Sequence, residues 1–242
     1  MMTWQHIIDE LLSALAPLKF SAPVTHVYNP LQYAQAPYRQ YLRHYGGGRK
    51  EALLVGMNPG PWGMAQTGIP FGEVRAVTEW LQVQAPVGAP ADMHPQRPVM
   101  GFHCHRSEVS GRRLWGWARK TFQTPERFFA RFLVVNYCPL MFIEANGKNR
   151  TPDKLSAAEQ RPMLAACDQA LVRIIQKVEP TYVFGVGNFA AAQVRRASAG
   201  RNMVIGTLTH PSPANPKANR GWEALIEKEL SAAGLMLSGA GA

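Results

Sequence analysis

"EALLVGMNPGPWG", residues 51–63, decides how the rest of the chain folds. Its apolar run does not alternate with polar residues, which is the pattern of a strand buried on both faces. The run drives into a turn crowded with Pro and Gly, with Asn58 at its mouth and Phe71 further along. Three other runs are built the same way: "FLVVNYCPL" (132–140), "TYVFGVGN" (181–188) and "VIGTLTHP" (204–211). Helical patterns separate them, at 73–83, 111–122, 158–178, 189–199 and 221–234. Pro162 is expected at or before the first turn of its helix, and Gly234 at the stop of the last. Strands alternating with helices imply right-handed crossovers and a parallel sheet covered on both sides. The expected fold is therefore α/β: one three-layer α/β/α domain over residues 1–242 with a central four-stranded parallel sheet. The Pro- and Gly-rich stretch 85–100 is too short to divide domains, and "LSGAGA" (237–242) reads as a loose tail.

Composition narrows the class. Apolar residues make up 46% of the 242, enough to bury a core and to make wholesale disorder unexpected. The net charge of +10 exceeds anything a fold needs and points to an acidic partner, nucleic acid first and an anionic membrane surface second. Cys104, Cys138 and Cys167 have no CxxC spacing, which argues against a disulfide framework, a zinc ribbon or a four-cysteine iron–sulfur site. A reducing intracellular compartment follows as an expectation, cytoplasm or nucleoid in a bacterium and nucleus in a eukaryote. The N-terminus carries Asp9 and Glu10 within its apolar stretch and reads as an amphipathic helix rather than a secretion signal. No apolar run approaches the ~20 residues of a membrane span.

Each strand ends in polar or turn-forming residues, and ligands of open parallel sheets bind beyond the carboxyl ends of the strands. Asn58, Asn136, Asn188 and His210 are thereby gathered along one rim. Asn58 cannot act as a general base. It can orient a water, or simply form an Asx turn before Pro-Gly. Asn136 interrupts an apolar strand. Its amide offers a donor and an acceptor side by side, matching a nucleobase edge, or it bonds a neighbouring backbone. His210 opens a Pro-stiffened loop bearing Lys217 and Arg220, suited either to phosphates with an imidazole beside developing negative charge, or to a capped solvated turn. "GVGNFA" (185–190) has dinucleotide-fingerprint spacing but lies on the third strand with no acidic residue about 20 positions later, so it reads as helix–strand packing. "HCH" (103–105) has no further ligand at helpful spacing, and no metal site is expected.

"GMNPGPWGMAQTGIPFGEV" (56–74) and "HPSPANPKANRGW" (210–222) resemble the two signature motifs of the single-strand-selective monofunctional uracil-DNA glycosylases. "SEVSGRRLWGW" (107–117) and "NYCPLMF" (136–142) resemble further family segments in the same order, so that the resemblance spans about Phe20 to Leu235. It implies a four-stranded parallel sheet between helices. It also implies hydrolysis of the N-glycosidic bond of uracil, or of 5-substituted uracils such as 5-hydroxymethyluracil, in single- and double-stranded DNA, without metal or organic cofactor. By the same resemblance Asn58 would hold the attacking water, and His210 would stabilise the departing base. Phe71 would stack on that base, Asn136 would read its edge, and Met57 and Gly60 would frame the pocket. Ser212, Ala214, Asn215, Lys217 and Arg220 would meet DNA. Family members commonly carry Arg where this chain has Ala214, so the side chain that wedges into the duplex gap is missing here. The expected protein is a monomeric DNA-repair hydrolase with DNA as its partner and no membrane association. A same-fold glycosylase for another deaminated base, such as xanthine, and a non-catalytic binder of damaged DNA are the competing readings.

Overall fold

The computed structural model describes residues 2–237, so most of the expected loose tail, from 238 on, lies outside the described residues. The elements run α1 Trp4–Leu15, β1 Val24–Tyr28, α2 Pro30–Tyr33, α3 Gln35–Tyr45, β2 Ala52–Gly56 and α4 Met64–Thr67. Then come α5 Val109–Phe122, α6 Pro125–Arg131, β3 Phe132–Asn136, β4 Met141–Glu144 and β5 Asn149–Arg150. The chain closes with α7 Ala157–Val178, β6 Tyr182–Val186, α8 Asn188–Ala197, β7 Val204–Leu208 and α9 Trp222–Ala232.

The four runs of the sequence form one parallel sheet in the order β3-β2-β6-β7. β2 is central and every one of its residues is buried, which accounts for its unbroken apolar pattern. Two groups of helices cover the sheet: α1, α7 and α8 pack together, as do α3, α5, α6 and α9. Gly185 lets α8 settle directly on β6, since a Cβ there would come within 2.1 Å of the Ala191 nitrogen. The "GVGNFA" segment thus packs a helix on a strand. Under α5 and α6 an aromatic cluster, Trp115, Trp117, Phe122, Phe128 and Phe132, fills the core with mostly edge-on contacts.

Local signals explain the helix boundaries. Thr3 caps α1 by accepting from the His6 N–H, and Ile7, Ile8, Leu11 and Leu15 make its buried stripe. Ser156 and Glu159 form a reciprocal capping box at the start of α7. That box starts the helix early enough to carry Pro162 into its second turn, later than the sequence leads one to expect. Gly234, at φ +89°, stops the chain after α9 as expected. The expected helix over 73–83 is shorter. A π-helical turn spans Ala76–Trp80 and is capped at Leu81, after which Gln82 is held at φ +51°.

A second sheet, antiparallel in the order β1-β4-β5, has no counterpart in the sequence reading. The run 132–140 was expected as one strand. It leaves the parallel sheet at Asn136, and after Pro139 the chain re-enters pairing as β4. No helix among the described residues is long and apolar enough to cross a membrane.

Candidate active site

A cavity of about 330 Å³ opens over the carboxyl ends of β2, β3 and β7. Met57, Asn58, Gly60, Phe71, Asn136, His210 and Ser212 all line it, so the structure brings these sequence-selected residues together. Asn188 is exposed and stays outside the lining. The reason lies at Gly187, where a Cβ would sit 3.3 Å from that of His210: the segment after β7 crosses the end of β6 and takes its place.

Pairing of β2 with β3 sets the first side of the cavity. Gly56 is in register with Asn136, and the pairing continues past the strands as the Tyr137 and Cys138 N–H groups donate to the Gly56 and Met57 carbonyls at 2.8 and 2.9 Å. Asn58 is then fixed by its own amide, whose Nδ2 donates to the Leu140 carbonyl at 3.1 Å. That leaves its Oδ1 as an acceptor for a water. Asn136 donates from Nδ2 to the Met64 sulfur at 3.1 Å, a weak acceptor that a better partner can replace. Gly56 is obligatory between the two side chains it separates: a Cβ there would lie 2.3 Å from Asn136 Oδ1 and 2.7 Å from the Phe71 ring.

Phe71 is buried and held at φ +53°, a conformation costing a non-glycine residue on the order of 1–3 kcal/mol. Three contacts hold it there. The Trp115 indole N–H and the Glu73 N–H donate to its carbonyl at 2.9 and 2.8 Å, and Gly111 lets α5 close onto that same oxygen. The strain presents the Phe71 ring to the cavity, with its centroid 6.0 Å from that of His210.

His210 has a defined tautomer. Its Nδ1 accepts from the Ser212 N–H at 3.1 Å, so in the neutral ring the proton sits on Nε2. Burial lowers its pKa from 6.5 to about 4, which keeps the ring neutral at physiological pH. Arg113 of α5 braces the loop that follows, donating to the carbonyls of Pro211 and Ser212 at 2.9 and 3.4 Å and to Asn219 Oδ1 at 2.8 Å. Asn215 spends its amide within the loop, donating to the His210 carbonyl and accepting from the Lys217 N–H. Ala214, Lys217 and Arg220 are exposed along it.

Four further lining residues were not singled out from sequence: Glu108, Ser110, Asn149 and Thr151. Glu108 keeps some residue exposure, yet its carboxyl is enclosed against Gly60 and Gly63, and Oε2 has no hydrogen-bond partner. Burial first, then the charge of Glu73, raises its pKa from 4.5 to about 7. Its position beside Gly60 depends on the turn of one segment meeting the start of α5, which spacing along the chain does not reveal. The folded state therefore holds the Glu108 proton more tightly than the unfolded chain, and that contribution to stability is lost as pH rises from about 4.5 through 7. His210 acts in the opposite sense, destabilising as pH falls from 6.5 towards 4, so whole-protein curves mix the two. Glu108→Gln separates them. Its stability relative to the parent should improve between pH 5 and pH 8 in urea unfolding, and an unchanged difference would show that the carboxyl is not protonated in the folded state.

Among the described residues no three His, Cys, Asp or Glu side chains gather as a metal site, and the three cysteines are free and buried.

The comparisons with known proteins agree on a single relationship. The profile of the Uracil DNA glycosylase superfamily matches residues 44–230. The mouse protein named single-strand selective monofunctional uracil DNA glycosylase is 46% identical over 228 residues, covering 93% of this chain and 82% of its own length. The bovine protein of that name is 46% identical over 224 residues, with 92% and 82% covered. The crystal structure of wild-type Pedobacter heparinus SMUG2 matches with a TM-score of 0.64 across 96% of this chain and 97% of that one, and at 18% identity it attests the fold. The chain belongs to the uracil-DNA glycosylase superfamily and, within it, to the single-strand selective monofunctional uracil-DNA glycosylase family.

Proposed function

We propose that this member of the family hydrolyses the N-glycosidic bond of uracil and of 5-substituted uracils, such as 5-hydroxymethyluracil, in single- and double-stranded DNA, acting as a monomer inside the cell. Family membership makes it a uracil-DNA glycosylase in the broad sense. The observation that carries the finer reading is the cavity that collects Asn58, Phe71, Asn136 and His210 over three strand ends.

The chemistry follows from what each group can do. A base within a duplex must leave the stack, at a cost of a few kcal/mol, and stacking on an aromatic returns ~1–3 kcal/mol. Phe71 supplies that face, Asn136 pairs with the uracil edge, and Gly60 admits the nucleotide beside the Met57–Pro61 turn. The C1′–N1 bond breaks with its electron pair on the base. The sugar becomes oxocarbenium-like and the base becomes a delocalised anion. A neutral His210 donates Nε2–H to the oxygen where that charge collects, without the proton transfer an imidazolium would invite. Asn58 Oδ1 accepts from the attacking water, whose oxygen adds to C1′ and whose proton passes to solvent or base. So electrophilic a sugar requires little activation of the water, and an amide suffices. No lysine stands among the cavity-lining residues to form a Schiff base, which suits a monofunctional enzyme.

Lys217 and Arg220 are the phosphate contacts of the 210–222 loop, and Ser212 carries that loop to the cavity edge. Ala214 occupies the wedge position with a methyl group, so that the duplex has to stay open without a large side chain in the gap. Excision from single strands is accordingly expected to outpace excision from duplexes.

Incubation with single- and double-stranded oligonucleotides carrying uracil, 5-hydroxymethyluracil or xanthine, followed by alkali, tests the reading. Cleavage at the two pyrimidine lesions and not at xanthine supports it. Xanthine-selective cleavage would favour the purine alternative, and binding without cleavage the sensor alternative. Activity should be unaffected by EDTA, since the sequence offers no metal-ligand constellation. Loss in chelator with recovery on adding a divalent ion would contradict the cofactor-free route.

A further inference from the structure

Trp62 stands at the cavity's edge. Pro61 before it lines the wall, and Gly63 after it packs against Glu108. Two guanidinium groups lie over its indole, with the Arg106 Cζ 4.5 Å and the Arg97 Cζ 5.4 Å from the ring centroid. Arg106 is exposed and precedes the wall residue Glu108 by two positions, so both sequence segments leave the cavity at the same part of its rim.

The segment bearing the two arginines is anchored to the turn. Gln66 Nε2 donates to the Pro61 and Pro98 carbonyls at 2.8 and 2.9 Å, and its Oε1 accepts from the Met100 N–H at 2.8 Å. Gln66 is itself buried, so the anchor is rigid. Among the described residues no other ring carries two guanidinium groups. Arg75, Arg131, Arg150, Arg173 and Arg196 each meet a carboxylate, whereas among the described residues neither Arg97 nor Arg106 does. The Arg97 Nε is in addition a buried donor without an acceptor. Two like charges gathered on one ring, preordered and without a counter-charge, call for an anion from outside.

We propose that the Trp62–Arg97–Arg106 stack binds the backbone phosphates of the DNA strand on one side of the extruded nucleotide, a contact separate from the 210–222 loop. The proposal rests on the glycosylase reading for the identity of its ligand. It accounts for how a chain with Ala214 at the wedge position can still grip a strand: the hold comes from the rim beside the turn. A stacked guanidinium has lost much of its rotamer freedom before DNA arrives, which favours phosphate binding without any base preference.

The test is binding, by fluorescence anisotropy, of a labelled single-stranded oligonucleotide carrying a tetrahydrofuran abasic analogue. Arg106→Ala should bind it severalfold more weakly and lower the salt slope by about 0.7, the value for one phosphate contact on a single strand. Arg106→Glu should bind more weakly still. Trp62→Ala should weaken binding, and combining it with Arg106→Ala should add less than the product of the two, because the ring acts through the arginines. Single-turnover excision at saturating DNA should stay close to that of the parent. Oligonucleotides trimmed on the 5′ or the 3′ side of the analogue should abolish the effect of Arg106→Ala from one side only. An unchanged salt slope for Arg106→Ala, or an effect that survives both trimmings, overturns the proposal. Arg106 is exposed, so its replacement leaves the core intact and the result interpretable. A parent protein that binds the oligonucleotide but excises nothing would sink the glycosylase reading instead, and the binding arms would still decide this one.

Discussion

Asn58→Ala and His210→Ala should each lower single-turnover excision of uracil by ~100- to 1,000-fold, the usual loss for one well-placed electrostatic donor or orienting group, or roughly 3–4 kcal/mol. The two side chains act on different fragments. Asn58, fixed through Nδ2 by the Leu140 carbonyl, turns Oδ1 to the water. His210, fixed through Nδ1 by the Ser212 N–H, turns Nε2–H to the departing base. Neither is expected to matter much for holding DNA, so affinity for an abasic duplex should remain near that of the parent. The neutral state of His210 has a further consequence. Since burial takes its pKa to about 4, excision should not decline through the ordinary histidine range near pH 6.5. A fall in rate centred near pH 6.5 that disappears in His210→Ala would show instead that the ring titrates normally and is open to water. Equal losses in rate and in binding would recast both residues as DNA contacts or supports of the fold.

Asn136→Ala should lose both rate and discrimination. An edge-reading amide is worth ~1–3 kcal/mol of selectivity between bases, so excision of uracil should fall by about 10- to 100-fold while its advantage over cytosine narrows. The structure makes this variant a clean one. The amide's partner is the Met64 sulfur, a weak acceptor whose loss leaves no strong bond broken. Thermal stability should therefore change little. A variant that is markedly unstable but keeps the parent's base preference would identify Asn136 as a core group.

The parallel sheet was legible because strands buried on both faces write themselves as unbroken apolar runs, as β2, β3 and β6 do, whereas β7 lies at the sheet edge, largely half-exposed, so the expectation of burial on both faces fails there. Their carboxyl ends then placed Asn58, Asn136 and His210 on one side, since a parallel sheet leaves no other arrangement. Asn188 fell outside because the order of strands around β6, and the path of the segment after β7 across it, are tertiary facts. The antiparallel β1-β4-β5 sheet was hidden for a related reason: β5 is two residues long, and β4 is only four residues, beginning just past the 132–140 run. Phe71 was found by motif, whereas its positive φ and the Trp115 and Gly111 contacts that impose it were not readable. Glu108 and Arg113 lie on or beside α5 and reach the site only through the packing of that helix against two separate loops. Spacing in the sequence carries no trace of such contacts.

The central claim is that Asn58 and His210 serve one transition state within this cavity. The most direct measurement is a double-mutant cycle of single-turnover uracil excision across the parent, Asn58→Ala, His210→Ala and the combined variant. Shared service to one transition state predicts that the double variant loses clearly less than the product of the single losses. Losses that multiply in full, with abasic-duplex binding intact, would mean that the two groups act independently and would contradict the account.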